Sequence, residues 1–190
     1  MTQMTAGQAV VEALRAEGVK YVFGIVGGTV LEIMDALFDQ PDIRFLSVRH
    51  EQGAAFMADG FARASGIPGV CLVTNGPGAT NLITGVYAAY AGHSPVIAIA
   101  GAPDREVVYR DAFQETDHIP MFRPVTKHAM TVNKAERIPE LFRHAFRLAM
   151  SGKKGPVFID IPRDLLGTHA IEAEFPPPEA YRIHHRPPGD

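Results

Sequence analysis

Glu51 is the residue whose place most suggests chemistry. It opens a segment in which Ala54, Ala55, Ala58, Phe61 and Ala62 recur at helical spacing. Position 51 lies on the same stripe, three and four residues before Ala54 and Ala55. A carboxylate there points along an apolar face. Two readings stand side by side: a first-turn acid favoured by the helix macrodipole, or a carboxyl partly withdrawn from water and suited to proton transfer. Two glycine loops could bring backbone close to a ligand, Gly24-Ile25-Val26-Gly27-Gly28 and Asn75-Gly76-Pro77-Gly78. Neither is a phosphate loop. No Lys-Ser/Thr pair follows, and Gly76-Pro77-Gly78-Ala79-Thr80-Asn81 lacks the third glycine of the dinucleotide fingerprint. Taken alone, each also reads as a tight turn at a strand end.

The other reactive residue types form no constellation. The eight histidines show no metal-ligand spacing, and His184-His185 falls in a proline-rich tail. Ser47 and Ser94 lack the context of a hydrolase nucleophile. Cys71, the one cysteine, sits within an apolar run and reads as a small core residue, which excludes a disulfide framework. Lys153-Lys154 is too short for a binding patch.

The elements that must position Glu51 follow from the hydrophobic pattern. Thr5 is expected to cap a helix to about Glu17, with Gly18 as its stop. Tyr21–Phe23 is expected as a strand, and Thr29 as the cap of a second helix to Phe38. Strands are expected at 43–48, 70–73, 95–100, 125–132 and 156–161, and helices at 51–64, from after the loop Asn75–Gly78 to about 91, and at 135–150. Residues 101–124 read as a long irregular, functional segment. After Gly167 the pattern fails. Residues 1–167 are therefore expected to be one domain, and 168–190, with Phe175-Pro176-Pro177-Pro178 and Arg186-Pro187-Pro188, a stiff linker. Solid apolar strands alternating with helices predict an α/β fold, a doubly wound parallel sheet of about six strands covered on both faces. Ligands of such sheets sit outside the carboxyl ends of the strands, where Gly24–Thr29, His50-Glu51 and Asn75–Asn81 fall.

Composition narrows the classes. The chain has 190 residues, with 18 Lys and Arg against 21 Asp and Glu for a net charge of −3. Hydrophobic residues make up 46% and charged residues 21%, a globular balance that excludes disorder and a basic nucleic-acid footprint. A chain this long buries roughly 70% of its unfolded surface and needs no structural metal to stand. Met1–Thr5 has no basic region followed by an apolar run, and the apolar stretch Leu82–Ala102 is broken at Gly92-His93-Ser94-Pro95. A cytoplasmic protein with no membrane and no nucleic-acid partner is expected. On these residues alone, a catalytic domain, a non-catalytic nucleotide- or CoA-binding module, and a regulatory subunit all remain open.

Several ordered motifs share one resemblance. Tyr21–Gly28, Arg49–Gly60, Thr74–Asn81, Asp111–Glu115, Arg123–His128 and Gly155–Asp164 are similar to the N-terminal, pyrimidine-binding domain of thiamine-diphosphate enzymes of the acetolactate synthase type. The likeness runs in order over about residues 4–166. It implies that Glu51 is the cofactor-activating glutamate, bonded to N1′ of the aminopyrimidine and so promoting the C2 carbanion that attacks a 2-keto acid such as pyruvate. It implies that Ile25, Val26, Gly27 and Gly28 close over the reacting region, and that Thr74, Gly76, Pro77, Gly78 and Asn81 lie near the aminopyrimidine. Gln114 is implied as a catalytic residue, and Phe113, Gln114 and Arg163 as residues on the substrate side. The family's site is built across a subunit interface, so a homodimer or tetramer is implied, with a partner's diphosphate-binding domain holding diphosphate and Mg²⁺. No metal site is implied for this chain itself.

Departures from the pattern matter for specificity. Val26 stands where many synthases carry proline. Lys153 stands where a synthase arginine contacts FAD, which leaves a flavin contact open. Gly92–Pro95 resembles the benzoylformate decarboxylase branch, although Thr74 replaces that branch's catalytic histidine. Gly101–Glu106 is similar to the oxalyl-CoA decarboxylase branch. Glu51 itself argues against a resemblance to glyoxylate carboligase, which has valine there. The diphosphate motif Gly-Asp-Gly does not occur, the one Gly-Asp being Gly189-Asp190. The chain is accordingly expected to be inactive alone and to act as one part of a three-domain enzyme.

Overall fold

Six strands lie side by side in a single all-parallel sheet. The computed structural model describes residues 2–167 and 171–182. In chain order the elements are β1 (Thr2–Met4), α1 (Ala6–Ala16), β2 (Tyr21–Gly24), α2 (Leu31–Phe38), β3 (Arg44–Ser47), α3 (Glu51–Ser65), β4 (Gly69–Val73), α4 (Pro77–Ala91), β5 (Val96–Ala102), α5 (His118–Phe122), β6 (His128–Thr131), α6 (Ile138–Met150), β7 (Val157–Pro162), α7 (Arg163–Leu166) and β8 (Ile171–Ala173). The large sheet runs β3-β2-β4-β5-β7-β6, as the solid apolar strands predict.

Alternation along each strand divides the core into two layers. Val22, Leu72, Ile97, Ile99 and Ile159 meet α1, α2 and α6 on one face. Phe23, Cys71, Val73, Ala98, Ala100 and Phe158 meet α3, α4 and α5 on the other. The first layer is built from Leu, Ile and Phe, including Leu14, Ile33, Phe142 and Phe146. The second is built largely from alanine. The buried apolar residues of α3 are Ala54, Ala55, Ala58 and Ala62, so this helix lies close to the sheet. On α5, Phe122 stacks on Phe158 with centroids 3.7 Å apart and planes 4° from parallel.

Several local expectations hold in atomic detail. Thr5 Oγ1 accepts from the Gln8 N–H at 3.2 Å, and the Gln8 side chain accepts from the Thr5 N–H at 2.9 Å, a complete capping box. Gly66 ends α3 at φ 75°, and Pro77 opens α4 at its first turn. The apolar stretch 82–102 is the rest of α4, a turn and β5. Among the described residues, no helix is long and apolar enough to cross a membrane.

Others are corrected. Thr29 caps nothing: a 3₁₀ turn at Gly28–Val30 precedes α2, and its hydroxyl is used elsewhere. The segment 101–124 is not wholly irregular, since it carries a 3₁₀ turn at Arg105–Val107 and α5. The pattern also continues past Gly167. Ile171, Glu172 and Ala173 pair antiparallel with Met4, Gln3 and Thr2 in a second, two-stranded sheet. Three-residue strands are too short to show a period, which is why neither was expected. Beyond them, Tyr181 and Arg182 donate to Glu17 at the carboxyl end of α1. Burial pushes the Glu17 carboxyl up from its ordinary range, against the opposing pull of Tyr181 and Arg182. Residues 168–170 of the expected linker, His184-His185, Arg186-Pro187-Pro188 and Gly189-Asp190 lie outside the described residues.

Candidate functional site

The chain reverses direction across the sheet between β2 and β4. From β2 it crosses to β3 on one side, and through α3 it returns to β4 on the other. A crevice therefore opens outside the carboxyl ends of β2 and β4, the usual ligand position in such sheets. The loops leaving these two strands are the two glycine loops. They press together: a Cβ on Gly27 would stand 2.4 Å from Thr74 Cβ, and the second loop is itself tight, since one on Gly78 would stand 2.8 Å from Thr74 Cγ2.

A closed ring of hydrogen bonds locks them. The Asn75 N–H donates to Thr29 Oγ1 at 3.2 Å. Thr74 Oγ1 donates its one proton to Asn75 Oδ1 at 3.0 Å. Thr29 must then be the donor in its 3.0 Å contact with Thr74 Oγ1. This is the use of the Thr29 hydroxyl that the capping expectation missed.

Glu51 faces this crevice from the first turn of α3, where His50 Nδ1 caps the helix by accepting from the Gln52 N–H at 3.1 Å. Its Oε2 accepts from Asn81 Nδ2 at 3.0 Å. That pair follows from helix packing. Gly85 lets α4 lie against α3, since a Cβ there would be 2.5 Å from Ala55 Cβ. Asn81 and Glu51 stand one turn before Gly85 and Ala55, on helices that both start from the same edge of the parallel sheet. Close contact at 85 and 55 therefore brings 81 and 51 together. Glu51 is half-buried.

The segment before α5 folds over the same crevice. Asn75 Nδ2 donates to the backbone oxygens of Phe113, at 2.9 Å, and Gln114, at 3.2 Å. The segment is tight: Tyr109, Asp111 and Gln114 have φ of 67°, 54° and 57°. Glu115 holds it by accepting from the N–H groups of Tyr109 and Ala112. Those bonds, Tyr109 first, hold the Glu115 carboxyl below the ordinary carboxylate range. A lowered folded value means that the bonds are intact above the ordinary range and are lost as pH falls through the folded value. The Tyr109 and Ala112 amide resonances are therefore expected to titrate together, with a midpoint below the ordinary glutamate value of about 4.3. A pH series of amide spectra checks this, and a midpoint at or above that value overturns it.

Most residues singled out in the sequence gather at this edge. Ile25, Val26, Gly27 and Gly28 form the lip on the β2 side, with Val26 exposed. Thr74, Gly76, Pro77, Gly78 and Asn81 form the opposite lip. Phe113 is 84% exposed beside it. Arg163 leaves the carboxyl end of β7, its Nε 3.8 Å from Glu32 Oε1 on α2. Lys153 is exposed on the turn between α6 and β7, at the opposite edge of the sheet, and does not join the group. Among the described residues, no three His, Cys, Asp or Glu side chains gather as a metal site.

Two buried residues went unnoticed. His118 Nε2 accepts from the Gly76 N–H at 3.0 Å, and its Nδ1 lies 2.8 Å from Asp160 Oδ1. Burial pushes the Asp160 carboxyl up, and the His118 bond pulls it back. The available signal was a charged residue inside the apolar run Val157-Phe158-Ile159-Asp160-Ile161, which demands a buried partner.

Residues 4–121 match the family described as thiamine pyrophosphate enzyme, N-terminal TPP binding domain. The chain is 50% identical over 92% of its length to a probable acetolactate synthase large subunit of Methanocaldococcus jannaschii. It is 48% identical over 86% of its length to the acetolactate synthase large subunit of Haemophilus influenzae, and 48% over 87% to the acetolactate synthase isozyme 3 large subunit of Escherichia coli. In each case the chain spans 29% of the relative's own length.

Proposed function

The chain belongs to the thiamine pyrophosphate enzyme family, as an N-terminal TPP binding domain, and from that premise we propose that it is the pyrimidine-binding part of an acetolactate synthase-like enzyme acting on 2-keto acids such as pyruvate. The observation that carries this reading is the Glu51–Asn81 pair at the crevice between β2 and β4.

The residues present suit a pyrimidine ring. Glu51 Oε2 is held by Asn81, while Oε1 has no hydrogen-bond partner among the described residues. Gly78 keeps the space before Oε1 open, since even a Cβ there would approach to 3.8 Å. Ile25, Val26, Gly27, Gly28, Thr74, Gly76, Pro77, Gly78 and Asn81 would line the ring. Bound thiamine diphosphate supplies an electron sink for 2-keto-acid decarboxylation and carboligation. Glu51 would exchange a proton with the ring nitrogen at Oε1, and Asn81 fixes the carboxyl's direction. Gln114 and Phe113 approach from the substrate side, and Arg163 stands further along the sheet edge as a charge for a carboxylate.

Diphosphate and Mg²⁺ belong in this reading to a diphosphate-binding domain of a partner subunit, within a cytoplasmic homodimer or tetramer. The outer surfaces of α3 and α4, where Phe56, Met57, Tyr87 and Tyr90 are exposed, supply apolar area for such a partner. A flavin contact through Lys153 would fall at the opposite sheet edge, apart from Glu51. An assembly of this chain with a diphosphate-binding domain is expected to convert pyruvate to acetolactate only when thiamine diphosphate and Mg²⁺ are supplied. A folded assembly that turns over no 2-keto acid under those conditions overturns the reading.

A further inference from the structure

We propose that His118 is a positioning residue, which uses its unprotonated Nε2 to hold Gly76 and thereby the start of α4, from which Asn81 reaches Glu51. The bearing on Glu51 rests on the function proposed above, whereas the hydrogen-bond chain itself does not.

The tautomer follows from the partners. Gly76 offers a backbone N–H, so Nε2 must be an acceptor; the ring's proton is then on Nδ1 and is donated to Asp160. His118 is buried, so water cannot substitute for either contact. Asp160 stands on β7, in the fixed frame of the sheet, two residues from Phe158, which packs edge-on against the His118 ring with centroids 6.1 Å apart. The ring is thus held by the sheet and in turn holds the loop.

The loop needs holding at that atom. Gly76 adopts φ 55° and ψ −116°, a backbone shape that other residues rarely enter. Its carbonyl already accepts from the Thr80 N–H at 2.9 Å, as the first bond of α4. Its N–H therefore sets the angle at which α4 begins. Asn81 follows within the second turn, and Asn81 Nδ2 holds Glu51 Oε2. A histidine that only neutralised Asp160 would not need Nε2 at all.

Two substitutions separate the roles. In His118→Gln the side-chain oxygen reaches the place of Nε2 and can accept from Gly76, whereas Asp160 loses its partner. In His118→Asn the amide reaches the place of Nδ1 and satisfies Asp160, whereas Gly76 loses its acceptor. The readouts are taken on the 190-residue chain without cofactor. His118→Asn is expected to speed hydrogen exchange at the Gly76 amide by about tenfold, the loss of one buried bond, and to shift the Asn81 side-chain resonances. His118→Gln is expected to keep both near wild type. The reverse order, with His118→Gln the more disturbed at Gly76 and Asn81, overturns the proposal. Wild-type ring nitrogen spectra near neutral pH need no variant: a proton on Nδ1 alone supports it, and a proton on Nε2 overturns it. None of these readouts depends on turnover, so failure of the synthase reading and failure of this one are distinguishable.

Discussion

Glu51→Gln is expected to lower turnover about 10²- to 10⁴-fold in the enzyme assembled from this chain and a diphosphate-binding domain, the range for losing a positioned acid or base. The size of the effect follows from how little else changes. Glutamine matches glutamate in volume, and its oxygen can still accept from Asn81 Nδ2, the contact that orients the carboxyl now. The stripe of Ala54, Ala55 and Ala58 beneath it is untouched. Stability is therefore expected to stay within about 0.5 kcal/mol, as for substitutions that keep packing and hydrogen bonds. What disappears is a proton that can be given up and taken back. Steady-state pyruvate turnover and thermal melts on the same preparations check both halves. Activity within threefold of wild type would remove Glu51 from the chemistry, and a collapse of stability would make its role structural.

Gly76→Ala is expected to be strongly damaging, out of proportion to the single methyl it adds. Two costs add. Alanine resists φ 55° with ψ −116°, a strain of about 1–3 kcal/mol. Its Cβ would also stand 2.4 Å from the backbone oxygen of Gln114, which is not a flexible side-chain end and must move bodily. That oxygen is one of the two that Asn75 Nδ2 holds, so the displacement loosens the whole segment before α5. A total near 3 kcal/mol corresponds to a fall of about 6–12 °C in melting temperature for a chain of this size. Turnover should fall as well, because α4 and Asn81 begin from this residue. A melt within two degrees of wild type would show that the loop relieves the clash without cost.

The fold was readable where burial is continuous. Val70–Val73 and Val96–Ala100 carry no polar residue, and strands covered on both faces need none. The helix of 51–65 was readable because its alanines recur at helical spacing and Gly66 stops it. Glu51 was readable for the same reason, as a charge on the wrong stripe. Residues that act through a partner distant in sequence stayed hidden. His118 and Asp160 are 42 positions apart and meet only when α5 docks on β7. Thr29 carried a true local signal for capping, but its hydroxyl is taken by Thr74 and Asn75. Asn81 drew notice only through the resemblance, since its bond to Glu51 is made by the fit of Gly85 against Ala55.

The ring of Thr29, Thr74 and Asn75 bears on how this chain can vary over generations. Thr29 and Thr74 give and receive through their hydroxyls, whereas Asn75 receives through Oδ1 and gives through its backbone N–H, so exchanging either threonine strands groups on both neighbours and exchanging Asn75 strands the Thr74 hydroxyl. A part-buried polar group left without a partner costs about 1–3 kcal/mol, whereas replacing partners together by apolar groups of the same shape can be nearly neutral. Single steps away from this trio therefore descend into a valley that a joint step crosses at lower cost, with the N–H of residue 75 alone left to find another acceptor. Positions 29 and 74, 45 residues apart in sequence, and position 75 beside them should therefore change together, and descendants are expected either to keep the set whole or to show it replaced whole.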